Sequence, residues 1–136
     1  MRRLAIALAA LWPGLAHAQA MPEEDAEVRR GRLLFLQCRA CHTLAAGEAH
    51  RVGPNLWGVL DRPVGSAAGF AYSPALSRWG GRWTPERLDA FLADPAGAVP
   101  GTTMAFGGLA RPEDRRALAR FLAQATRAAG PGRIPP

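Results

Sequence analysis

The chain has 136 residues, enough for one domain with one core that hides roughly two thirds of its unfolded surface, and all 17 of its basic residues are arginine, against 11 acidic ones, for a formal charge of +6. Past Arg2 and Arg3 the arginines are spread over residues 29–133 and form no concentrated stripe, which argues against a nucleic-acid partner. After residue 20 no run approaches the about 20 apolar residues that a bilayer-spanning helix needs, so the remaining chain is expected not to span a membrane.

Residues 1–20 read as a secretory signal peptide. Arg2 and Arg3 precede an apolar run over 4–12, a Pro13-Gly14 break and the small-residue stretch Ala16-His17-Ala18-Gln19-Ala20. Cleavage after Ala18 or Ala20 would deliver the mature chain to the periplasm, with the 15 arginines that remain facing 11 acidic residues for a net of +4. A single domain is expected over 21–129, followed by a loose tail over 130–136.

A first helix is predicted over 22–41. Glu23, Glu24 and Asp25 complement its N-terminus, and Val28, Leu33, Leu34, Phe35 and Leu36 supply its apolar side. From Gly47 to Gly81 glycine and proline are frequent and no strand alternation is sustained, so this stretch reads as loop. A second helix starts at Thr84-Pro85, an N-cap with proline at the first helical position; Leu88, Phe91 and Leu92 form its buried stripe and Asp94-Pro95 stops it. A third begins near Pro112, with Glu113 and Asp114 in its first turn and Leu118, Phe121, Leu122 and Ala125 on one face, and ends at Gly130-Pro131-Gly132. The predicted fold is all-α, three main helices with long Gly/Pro-rich loops. Gly31 is expected to let the last helix cross the first closely, near Phe35, Leu118 and Phe121.

The only two cysteines lie in Cys38-Arg39-Ala40-Cys41-His42. A disulfide, a zinc or thiol-redox pair, and thioether attachment of haem compete for them. Zinc wants four ligands, and apart from His42 the mature chain adds only His50 among Cys and His. A thioredoxin-like pair would follow a strand, and no alternating β-branched run precedes Cys38. Haem attachment accounts for all three residues: thiols two residues apart span the two vinyl groups on one porphyrin edge, and the adjacent imidazole of His42 reaches the iron. One covalent haem c is therefore the expected cofactor.

A second axial ligand must come from His50, Met21 or Met104. His50 lies only eight residues after His42, and reads as a loop residue hydrogen-bonded to backbone. Met21 stands at the expected new N-terminus. Met104 lies 62 residues beyond His42, after the Pro100-Gly101 turn, on a loop long enough to wrap a porphyrin. Without a haem such a methionine would simply fill core space; with one, it is the expected sixth ligand.

These residues resemble the monohaem class I cytochrome c family from about Gly31 to Ala125. The matching segments are Gly31 with Phe35, residues 38–43, Gly53-Pro54-Asn55-Leu56, Arg62, Gly69-Phe70-Ala71-Tyr72, Trp83, and Pro100-Gly101-Thr102 leading to Met104 and Phe106, in the family's order and at similar spacing. The resemblance implies that the class I fold surrounds one covalent haem, that His42 and Met104 ligate the iron, and that the Pro54 carbonyl accepts a hydrogen bond from the His42 ring. It also implies that Arg62, Tyr72 and Trp83 surround the haem propionates, which need donors or opposite charge when buried, and that Phe106 covers the haem edge. The chain departs from the family at Leu76, where many relatives have asparagine, at Phe91, where many have tyrosine near the methionine sulfur, and at Trp57, where histidine is frequent. Ala96-Gly97-Ala98 and Thr103 lack the lysines that ring the haem edge in mitochondrial members, leaving Arg39, Arg51 and Arg111 as a weaker positive surface.

With imidazole and thioether on the iron no axial position remains for substrate, so the expected function is a soluble, monomeric, periplasmic single-electron carrier between redox protein partners, and not an enzyme. Three alternatives stand beside it: a haem subunit of a periplasmic dehydrogenase or oxidase complex, a gas-binding or peroxidatic haem protein in which Met104 leaves the iron, and a thiol oxidoreductase without haem.

Overall fold

The computed structural model describes residues 25–60 and 62–127; the signal segment, Met21, the acidic residues Glu23 and Glu24, and the 130–136 tail lie outside the described residues. Among the described residues five helices follow one another: α1 (Ala26–Phe35), α2 (Pro74–Trp79), α3 (Pro85–Ala93), α4 (Pro95–Ala98) and α5 (Pro112–Ala125). Among the described residues there is no strand, only an isolated antiparallel bridge between Pro63 and Arg82, and no helix is long and apolar enough to cross a membrane.

Asp25 caps α1, its carboxylate accepting the Glu27 N–H at 2.8 Å. The helix is shorter than predicted, because after Phe35 the chain tightens into turns: the amides of both Cys38 and Arg39 donate to the Phe35 carbonyl, and those of Cys41 and His42 to the Cys38 carbonyl. Its buried face is Val28, Gly31 and Phe35. Leu33 and Leu36, expected on the apolar side, stand 63% and 52% exposed. The crossing by α5 decides this, since a face centred on Gly31 leaves those two leucines on the far side of the helix. A Cβ at Gly31 would collide with the Ala117 carbonyl oxygen and stand 2.7 Å from Phe121 Cβ. The two helices therefore meet backbone to backbone there, and the Phe35 and Phe121 rings pack with centroids 5.6 Å apart. Arg120 pairs with Asp25 and Glu27, and Arg30 with Asp114, along the edges of the crossing.

Thr84 caps α3 as predicted, accepting the Arg87 N–H at 3.3 Å, with Pro85 in the first turn. Asp94 ends α3 but also starts α4: its carboxylate accepts the Gly97 N–H at 2.9 Å, and Pro95 supplies a φ already suited to a first turn. The same device builds α2, where Ser73 accepts the Leu76 N–H at 3.2 Å ahead of Pro74. α5 ends at Ala125, before the predicted stop at residues 130–132. The buried Thr126 turns its hydroxyl back onto the Leu122 carbonyl at 2.8 Å and offers its own carbonyl to the Gly58 N–H at 3.1 Å. The core runs from Phe35, Leu118 and Leu122 on α1 and α5 through Leu88, Phe91 and Leu92 on α3 to Val59, Val64, Trp83 and Val99 on the loops. Three helices and the intervening loops thus enclose one apolar space.

Candidate haem site

That space is a cavity of about 220 Å³, and all nine residues singled out in the sequence line it: Cys38, Cys41, His42, Pro54, Arg62, Tyr72, Trp83, Met104 and Phe106. Leu76 and Phe91 line it too, so two of the three positions where a polar family residue is replaced present hydrocarbon to it. Most of the remaining wall is aliphatic, with Leu56, Val59, Leu88, Leu92 and Leu118 among it.

The turns after α1 carry Cys38, Cys41 and His42 to one wall. Both thiols are free and half-buried, and burial pushes the Cys38 thiol up to about 11, with the nearby Cys41 adding to the shift. His42 Nδ1 donates to the Pro54 carbonyl at 2.8 Å, which assigns the proton to that nitrogen and leaves Nε2 with its lone pair. Burial lowers the His42 pKa below its ordinary value, and the Pro54 bond only partly opposes this. The ring is therefore neutral, the form a metal requires. Gly53 lies against it so closely that a Cβ there would collide with the ring and stand 2.7 Å from Nδ1.

The loop that supplies Gly53 and Pro54 is organised by two side chains. Asn55 donates to the Thr43 hydroxyl at 2.8 Å and the Ala45 carbonyl at 2.9 Å, and accepts from the Trp57 N–H at 2.8 Å. His50 accepts the Asn55 N–H on Nδ1 and donates from Nε2 to the Ala68 carbonyl, each at 2.9 Å. That is the backbone-bound role expected of it. Neither Asn55 nor Gly53 carries a role in the sequence reading. The Gly53-Pro54-Asn55 segment signals that the loop matters, but steric clearance beside a distant ring has no one-dimensional trace.

Polar groups collect on another part of the wall. Arg62 donates from Nη1 to the Trp57 carbonyl at 2.8 Å and from Nη2 to the Asn55 carbonyl at 3.2 Å. Its Nε is buried without a hydrogen-bond partner among the described residues. The Tyr72 hydroxyl accepts the Ala67 N–H at 3.2 Å, which leaves its own hydrogen to give. Trp83 is 7% exposed, and its backbone N–H donates to the Arg62 carbonyl at 3.0 Å. On the loop after α4, the Thr102 hydroxyl accepts the Met104 N–H at 3.3 Å and the Met104 carbonyl accepts the Phe106 N–H at 3.0 Å, so Met104 and Phe106 are held in one turn.

The donor set fits a covalently attached haem. Two thiols, an imidazole and a thioether line one apolar cavity, and the orphaned guanidinium N–H of Arg62 and the hydroxyl of Tyr72, on the same lining, suit the acid groups of a porphyrin.

No family model matches the chain. Curated relatives do. Cytochrome c of Cochliobolus lunatus is 43% identical over 105 residues, covering 76% of this chain and 97% of that protein. Cytochrome c of Arabidopsis thaliana is 42% identical over 102 residues, 74% of this chain and 91% of that protein. A cytochrome c homolog of Rickettsia felis is 41% identical over 99 residues, 73% of this chain and 57% of that longer protein. Among solved structures, cytochrome cH from Methylobacterium extorquens superposes with a TM-score of 0.67 at 37% identity, covering 71% of this chain and 97% of that one.

Proposed function

Because the chain belongs to the class I cytochrome c family and is an electron-carrying protein of the haem c type, we propose that it is a soluble periplasmic shuttle for single electrons between protein partners. In this reading Cys38 and Cys41 would hold the haem through two thioethers, and His42 and Met104 would give its iron a nitrogen and a sulfur. Arg62, Tyr72 and Trp83 receive the propionates, and Phe106 shields the haem edge. When bound, the haem supplies a one-electron iron couple.

The chain's own residues prepare that couple. Pro54 and Gly53 fix the His42 ring in the tautomer that presents Nε2. The aliphatic wall excludes water, so little rearranges around the cofactor as its charge changes. A thioether from Met104 together with the His42 imidazole would raise the reduction potential and keep oxygen or substrate from the iron. The observation that carries the reading is the gathering of both cysteines, His42 and Met104 on one apolar cavity. The signal pattern over residues 1–20 supports export, and the net charge of the remainder is too small to favour a strongly acidic docking partner.

Oxidised and reduced absorption spectra of the exported protein, together with its intact mass, test this. A mass raised by one haem and the weak far-red ferric band of sulfur ligation are expected. Met104→Ala should abolish that band, lower the potential and admit carbon monoxide to the ferrous protein without denaturant. Wild-type protein that binds carbon monoxide at once, or that carries the bare polypeptide mass with two titratable thiols, overturns the reading.

A further inference from the structure

A second arginine, which none of the roles above uses, grips the turn that leads into Trp83. The Arg87 guanidinium lies over the Trp79 ring, its Cζ 3.9 Å from the ring centroid. Its Nη2 donates to the Gly80 carbonyl at 2.8 Å. Its Nε, like that of Arg62, is buried without a hydrogen-bond partner among the described residues. A Cβ at Gly81 would stand 2.9 Å from Nη1, so the guanidinium also fills the space beside that glycine.

The turn it grips is poorly determined by its own sequence. Gly80 and Gly81 are consecutive residues with positive φ, +57° and +74°, and glycine pairs of this kind visit many conformations unless something outside the turn selects one. What the turn controls lies on the cavity. The Gly81 carbonyl accepts the Val64 N–H at 2.9 Å, Arg82 bridges to Pro63, and the Trp83 N–H donates to the Arg62 carbonyl at 3.0 Å. The relative placement of Arg62 and Trp83 is therefore inherited from the turn. Side-chain packing gives a second route, since Trp79 meets Trp83 edge-on at 5.6 Å and Trp83 meets Phe91 at 5.1 Å.

We infer that Arg87 is a positioning residue for the haem acid groups: by stacking on Trp79 and holding Gly80, it sets the Arg62–Trp83 pair and through that pair the reduction potential. The inference rests on the haem reading above. It acts through the planar fork of arginine, which can stack and donate together, and not through positive charge alone.

The test uses the mature holoprotein and reads its reduction potential, with near-ultraviolet circular dichroism reporting the tryptophans. Arg87→Lys and Arg87→Met should both lower the potential, by about fivefold in the ferric-to-ferrous ratio at fixed ambient potential, the size expected when neighbouring residues couple. Trp79→Leu, which keeps the cation, should give a similar shift, and the double variant Arg87→Met with Trp79→Leu should shift no further. Arg115→Ala, which breaks the α3–α5 ion pair with Asp89, should destabilise the protein and leave the potential alone. A potential kept by lysine and lost with methionine would show a charge effect and overturn the inference, as would additive shifts or a shift in Arg115→Ala. Should the Arg87 variants fail to mature, Trp79→Leu alone decides, and an unchanged potential there sinks the idea. Wild-type protein without haem would defeat the functional reading itself, before any variant is compared.

Discussion

The His42 ring is fixed by two neighbours in sequence that act in different ways. Pro54 offers a carbonyl to Nδ1, which sets the tautomer, while Gly53 contributes only the absence of a side chain. Any Cβ at position 53 must displace the imidazole, since backbone on both sides is tied through Asn55 and His50. Gly53→Ala is therefore expected to destabilise the holoprotein by about 1–3 kcal/mol, as overpacking does, and to perturb the ferric spectrum. Gly107→Ala, at a glycine with open space around it, should change neither. Denaturant titration and absorption of the two variants side by side check this; indistinguishable behaviour would mean that the ring tolerates displacement. The residues proposed as ligands are legible in the sequence, because cysteine and histidine chemistry is tied to short spacing and the family's residues recur in order. Of the groups that aim them, Pro54 comes with the resemblance, whereas the clearance at Gly53 and the orphaned Nε of Arg62 do not, because these exist only after the loops have closed.

At the scale of elements, three helices begin in the same way, with Ser73-Pro74, Thr84-Pro85 and Asp94-Pro95 each placing a capping oxygen before a proline. Only the middle one was read as a helix start. The first lies hidden in a Gly/Pro-rich stretch whose composition suggests loop, and the third reads as a stop because proline after an apolar helix ends it as readily as it starts the next. Periodicity located α1, α3 and α5 but misjudged the face of α1, since Leu33 and Leu36 are apolar and yet outward. What chooses the face is Gly31, whose missing side chain admits the Ala117 carbonyl. Replacing Gly31 with alanine should improve intrinsic helix propensity by up to about 1 kcal/mol and still destabilise the protein, because the crossing must open. The expected outcome is a lower denaturation midpoint than wild type, with the α1 and α5 amides losing hydrogen-exchange protection together. A raised midpoint would show that the crossing has slack.

For the whole molecule, the hydrophobic wall has no filler of its own. α1, α3 and α5 converge on the cavity without closing it, and each ion pair that laces α1 to α5 or α3 to α5 keeps one partner well exposed to solvent, which limits what it contributes. Without the haem the apolar walls of this half-open cavity would face water, a heavy cost for a small domain whose entire stability is about 5–15 kcal/mol. Folding and cofactor retention should therefore be a single event in this chain. The variant carrying both Cys38→Ser and Cys41→Ser, which cannot form thioethers, is expected to lose its cooperative thermal transition once freed of haem, and to bind a dye specific for exposed apolar surface. The helices should largely melt with the core, because none of them exceeds 14 residues and helices this short are marginal without tertiary packing. A haem-free variant that still unfolds cooperatively near the wild-type temperature would show that the apolar walls collapse onto one another, and that the protein's stability does not depend on what they enclose.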